Sequence, residues 1–155
     1  IVIVPPDIGP ARRVDPPAPV DPLAEMERMA RERLVAAGLS GRGRVAIEAA
    51  SLTRQRTAEG GFFTAATERI TCVLRCRVEV FPGEGPAAGF AAAEVRRTAS
   101  GPLDGSEGRR AAEIVRRAME DMNVELEFQL RRNLRAFLVT GPGGPGVTAE
   151  PLPEG

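Results

Sequence analysis

The chain has 155 residues, with 21 basic side chains balanced by 21 acidic ones, so it carries no net charge. A protein that tracks nucleic-acid phosphates shows a basic surplus, and the absence of one here argues against a nucleic-acid partner. Every basic residue is arginine, and histidine, lysine, tyrosine and tryptophan are all missing.

These absences restrict the chemistry. Without histidine there is no imidazole base near neutral pH and no histidine metal ligand. Without lysine there is neither a Walker-type phosphate loop nor a Schiff base. Stacking platforms are left to six phenylalanines and to arginine. Only carboxylates and thiols remain for catalysis, so no catalytic, cofactor-binding or metal-binding residue is assigned.

In chain order, "IVIVPPDIGPARRVDPPAPVDP" opens with four β-formers, Ile1–Val4, and continues as a proline-rich extension through residue 20. The first residue is Ile1 rather than methionine, so either a segment removed upstream or a trimmed sequence is expected. Asp21 suits a helix N-cap and Pro22 the first helical position. The helix "PLAEMERMARERLVAAG" follows, with Leu23, Met26, Ala30, Leu34 and Ala37 as its apolar stripe and Gly38 closing it.

Alternation of Val45, Ile47 and Ala49 predicts a strand over 44–54. The connection "RTAEGGFFTAATE" is long for a compact domain. A second strand runs over 69–81, "PGEGPAAG" forms a turn, and "FAAAEVRRTAS" gives a third strand.

From Ser106 or Glu107, apolar residues recur at three- and four-residue steps through Ala111, Ile114, Val115, Ala118, Met122, Leu126, Leu130, Leu134 and Phe137. The helix they predict has about 32 residues and is ~48 Å long, longer than a small sheet covers. "VTGPGGPGVTAEPLPEG" reads as a flexible tail over 140–155. Its glycines follow a helix and are interrupted by prolines that lack N–H donors, so it is not a phosphate loop.

Strands grouped between two helices predict an α+β two-layer sandwich over 21–139. Its sheet is small and mainly antiparallel, with three or four strands, and two helices lie on one face, the C-terminal one long.

The only cysteines, Cys72 and Cys76, sit in "ITCVLRCRVEVF". Ile70, Cys72, Leu74, Cys76, Val78 and Val80 share one face of a strand there. Residues four apart on a strand are ~13 Å apart, too far for a disulfide or for a zinc site. Both are expected as buried thiols.

The carboxylates Glu25, Glu27, Glu32, Glu120, Asp121, Glu125 and Glu127 interleave with arginines at helical spacing and read as solvated faces. Asn123, flanked by apolar residues, is a candidate polar contact. Phe62 and Phe63 are adjacent, so in extended backbone they point opposite ways, one into the core and the other toward a partner or lipid.

The run "RVAIEAASLTR…GGFFTAATERITCVLRCRVEV…AAAEVRRTASGP…AAEIVRRAMEDMNVELEFQLRRNL" resembles small alphaproteobacterial cell-envelope lipoproteins of unassigned function. More loosely, it is similar to ABC-transporter auxiliary lipoproteins and to the lipopolysaccharide-assembly lipoprotein. The resemblance spans about residues 21–138 and rests on element order rather than on a catalytic motif. It implies a periplasm-facing domain, tethered to a membrane through a lipidated cysteine upstream of Ile1. It also implies a non-enzymatic accessory or structural subunit of a membrane-associated assembly, with other protein subunits as partners. The alternative it implies is a transport auxiliary that holds lipid or lipopolysaccharide between sheet and helices. The residues expected to meet a partner are Ile1, Ile3, Phe62, Phe63, Asn123, Leu130, Leu134, Phe137 and Leu138.

Overall fold

A computed structural model describes residues 2–6, 12–37, 42–81 and 85–135. Six elements follow one another: β1 (Val2–Val4), α1 (Pro22–Ala37), β2 (Arg42–Ala58), β3 (Thr67–Phe81), β4 (Gly89–Pro102) and α2 (Glu107–Asn133). The strands form one sheet in the order β1-β2-β3-β4. β1 runs parallel to β2, and the β2–β3 and β3–β4 pairs are antiparallel. Both helices cover one face, so the protein is an α+β two-layer sandwich, and no element among the described residues covers the other sheet face.

Local chemistry accounts for the elements. Asp21 caps α1 by accepting the Leu23 N–H at 3.0 Å, and Pro22 occupies the position whose missing N–H costs nothing. In β3 the even-numbered residues from Glu68 to Val80 are buried and the odd-numbered ones are not. That period of two turns Ile70, Cys72, Leu74, Cys76, Val78 and Val80 toward the helices. They meet Met26, Met29 and Ala30 of α1 and Ala111, Ile114, Val115, Ala118, Met122 and Leu126 of α2 in one contiguous core. Each large side chain buried this way contributes about 1.5–3 kcal/mol.

The structure departs from the sequence reading in three places. First, the ladder between β2 and β3 shifts register between Ile47 and Ala49. This bulge at Glu48 changes which face each β2 residue occupies. Ala50 and Leu52 therefore join Val45 and Ile47 over the helices, where uninterrupted alternation puts Ala49.

Second, the proline-rich segment lies on its own domain where it is described. Val2–Val4 pair with Arg44–Ala46, and Asp15 N–H donates to the Leu52 carbonyl while Leu52 N–H donates to that of Arg13, both at 2.8 Å. Ala18 and Val20 pack against the core. A segment held in this way is not a free linker. Residues 140–155, expected as a tail, lie outside the described residues.

Third, α2 as far as it is described does not outrun the sheet. It has 27 residues, ~40 Å of helix. β2, β3 and β4 have 17, 15 and 14 residues, roughly 45–55 Å each. Leu130 and Leu134, expected to lack cover, are 5% and 0% exposed inside the common core.

Candidate interaction surfaces

At one end of the sandwich a buried carboxylate organises three chain segments. Glu68 lies on the helix-facing side of β3, with its side chain 4% exposed. Arg54 of β2 donates to both of its oxygens at 2.7 Å, and Arg110 of α2 donates to Oε2. The other donors of Arg54 reach the carbonyls of Asp15, Pro17 and Glu107. Arg54 N–H also donates to Asp15 Oδ2 at 2.8 Å, one of the contacts that hold the Asp15 carboxyl below its ordinary value against the burial that raises it. Arg110 Nη2 donates to the Pro102 carbonyl and to Ser106 Oγ, both at 2.8 Å.

Gly101 makes room for this arrangement. A Cβ there would lie 2.3–2.4 Å from the Arg110 guanidinium. Because the donors of Arg54 and Arg110 are taken by internal acceptors, the cluster fastens the N-terminal segment and the start of α2 to the sheet and offers little to a ligand.

The sequence reading missed this triad, although a signal for it exists. Glu68 falls in the same even-numbered set as Ile70 and Cys72, so the strand pattern places an acid on the apolar face. A buried acid needs a buried cation.

Just beyond the triad, the β2–β3 connection carries Phe62 and Phe63. They are 95% and 92% exposed and touch each other edge to face, with ring centroids 4.9 Å apart. Neither enters the core, where the sequence reading had one of the two inside. The loop is nevertheless built. Gly61 N–H donates to the Thr64 carbonyl at 2.9 Å, and Leu103 N–H donates to that of Ala66 at 2.8 Å. Gly60 approaches the opposite backbone so closely that a Cβ would lie 2.9 Å from Ala66 N. Residues 60–67 hold no charge. The two rings therefore form an apolar point on a defined loop.

The uncovered sheet face carries Arg42, Arg44, Arg69, Arg75, Arg77 and Arg96, with Glu48, Glu79 and Glu94 as its acids. Arg75 lies between Glu48 at 3.5 Å and Glu94 at 3.8 Å, and Arg77 pairs with Glu79 at 3.3 Å while covering the Phe90 ring. Arg42 lies over the Phe81 ring. Arg44, Arg69 and Arg96 meet no carboxylate among the described residues. Exposed carboxylates and arginines pair densely on α2, as in Glu113 with Arg116 and Arg117, whose hydrogen bonds hold the Glu113 carboxyl down at about 2.

Asn123 sits in a groove of about 370 Å³ between the helices, lined also by Glu25, Arg28, Met29, Glu32, Arg33 and Met119. Its amide donates to the Met119 carbonyl at 3.1 Å, and its Oδ1 is buried without a partner among the described residues. Arg33 closes one side of the groove by pairing with Glu127 at 2.6 Å.

Ile3 packs against the core from the middle of β1. Ile1, Phe137 and Leu138 lie outside the described residues. Two apolar residues that the sequence reading passed over, Val124 and Phe128, are 72% and 53% exposed on α2. Their four-residue spacing off the buried stripe was a legible signal of a second apolar strip.

Cys72 and Cys76 are free and buried, and burial pushes both thiols up to about 12, with Glu48 adding to the effect on Cys76. Among the described residues, no group of His, Cys, Asp and Glu is placed to hold a metal, and no helix is long and apolar enough to cross a membrane.

No protein-family model matches the chain, and no curated protein matches its sequence. Among solved structures, a minor lipoprotein from Acinetobacter baumannii aligns over 79% of this chain and 92% of its own, with 13% sequence identity and a TM-score of 0.43.

Proposed function

We propose that this is a non-enzymatic interaction domain of the cell envelope, facing the periplasm and tethered to a membrane upstream of Ile1. In this reading it serves as an accessory subunit of a membrane-associated assembly. The tether and the location follow from the sequence resemblance to envelope lipoproteins. The non-enzymatic reading follows from a chain without histidine, lysine or tyrosine and with both thiols held protonated near neutral pH.

The observation that carries the reading is the Phe62–Phe63 point. Two aromatic rings on an ordered, uncharged loop contribute nothing to the core and expose apolar surface that water penalises. No described residue of the chain covers them, and they gain free energy when a partner does. The alternative, lipid held between sheet and helices, is less favoured. The described space between the layers is occupied by close-packed side chains, including Met26, Leu52, Leu74 and Met122, each fully buried.

The test is the double substitution Phe62→Ser, Phe63→Ser. The isolated domain should melt within about 1 °C of the parent, since the rings touch only each other. Association with its assembly in native membranes should drop by tenfold or more, on the order of what two buried phenylalanines supply. Unchanged association would sink the proposal.

A further inference from the structure

We propose that the free edge of β4 pairs antiparallel with β4 of a second copy of this chain. The two sheets then join into one continuous sheet about a two-fold axis at Val95. The strand order leaves β4 at an edge, and its 14 residues pair with β3 in unbroken register from Gly89 to Pro102. Its outer N–H and C=O groups meet no strand among the described residues. Proteins blunt free edges with short strands, bulges, prolines or inward charges. The opposite edge fits that pattern, with a three-residue β1 and a single bridge from Val14 to Leu52. β4 has no bulge and no proline before Pro102, and its charge on the helix-facing side, Arg97, is neutralised by Asp121.

The charges on β4 select both the partner and the register. With Val95 opposite Val95 of the second copy, Glu94 faces Arg96 across the strands, twice by symmetry. Arg96 lacks a carboxylate within its own chain among the described residues, and Glu94 has only a loose contact to Arg75 at 3.8 Å. Sliding by two residues in one direction puts Glu94 opposite Glu94, and sliding in the other puts Arg96 opposite Arg96. Like charges directly opposite are unfavourable, and a slip of one residue turns the wrong face inward. One register among its neighbours is therefore favoured by charge.

A second observation falls at the same place. Asp121 of α2 holds Arg97 of β4 at 2.6 and 3.2 Å. Phe128 comes seven residues later, so it lies on the same side of the helix, roughly 10 Å further along. α2 returns antiparallel to β4, and that distance is about three strand residues, which brings Phe128 level with Glu94. The exposed Phe128 and Val124 thus overhang the free edge beside Val95, where the matching pair from a second copy covers them.

This inference does not depend on the Phe62–Phe63 point, and its test leaves that loop untouched. The mass of the purified chain is followed by sedimentation equilibrium for the parent, Glu94→Arg, Arg96→Glu and the double swap, with thermal melting of each read separately. The parent should dimerise reversibly. Each single swap should weaken the dimer roughly tenfold or more, because it replaces two attractive pairs with repulsive ones, and the double swap should restore it. Phe128→Ser should weaken it with the melting temperature unchanged. A parent that stays monomeric at roughly 100 μM, or a dimer indifferent to the single swaps, overturns the proposal.

Discussion

Glu68 is the residue whose loss should cost the fold most for the smallest change in shape. Glu68→Gln leaves the Arg54 and Arg110 guanidinium groups, 11% and 12% exposed, without their counter-charge. Breaking a buried ion pair by removing one partner costs about 3–5 kcal/mol, and urea denaturation should read a loss of that order. Gly101→Ala should act on the same cluster, since its Cβ would occupy the space of an arginine pinned by three acceptors.

The thiols give a second prediction at this scale. Their folded values, about 12, lie above the reference of 9.0. The unfolded chain therefore releases these protons first. The stability they protect is complete below pH 9 and is lost as pH rises from 9 toward 12, by at most about 1.4 kcal/mol per pH unit per thiol. No lysine or tyrosine side chain titrates in that window. Denaturant midpoints should thus fall above pH 9 in the parent and flatten in a Cys72→Ala, Cys76→Ala variant. Alkylation should label neither thiol in the native protein and both after unfolding. The cysteines were readable from alternation alone. Glu68 was equally visible in that pattern, but its partners are 14 and 42 residues away, and only the fold brings them together.

At the scale of elements, pattern reading found α1, α2 and three strands but set the strand ends short. The residues beyond the apolar alternation, Gln55 to Thr57 and Thr67 to Glu68, are polar, and ladder bonds and the ion cluster hold them in the sheet. Hydrophobic periodicity reports apolar burial rather than backbone pairing, so it stops where the buried residues cease to be apolar. The same limitation left β1 only as a possible fourth strand. Three β-formers ahead of prolines look like a linker until β2 supplies an edge. Deleting residues 1–20 should therefore destabilise the domain by about 3 kcal/mol or more, because Arg54 loses charge-assisted acceptors and the β2 edge opens. Thermal melting of the truncated chain checks this, and an unchanged midpoint would show that the segment contributes nothing.

For the whole molecule, the balance of charge conceals an uneven distribution. The helices carry close pairs such as Arg116 with Glu113 and Glu120, and Arg44, Arg69 and Arg96, which meet no carboxylate among the described residues, lie on the sheet face opposite the helices. Among the described residues, large apolar side chains are exposed in pairs at the Phe62–Phe63 loop and along the Val124–Phe128 flank, and singly at Val2, Val14 and Phe90. The doublet was conspicuous in the sequence, but its placement outside the core was not, because adjacent residues on a bent loop need not point opposite ways.

An interaction domain should show the loop free in isolation and covered in its assembly. Amide hydrogen exchange over residues 59–66, compared between the purified domain and the detergent-solubilised native assembly, measures that difference directly. The account predicts fast exchange in the purified domain and slowed exchange in the assembly, with the β3 core equally protected in both. Equal, fast exchange of the loop in the two samples would contradict it.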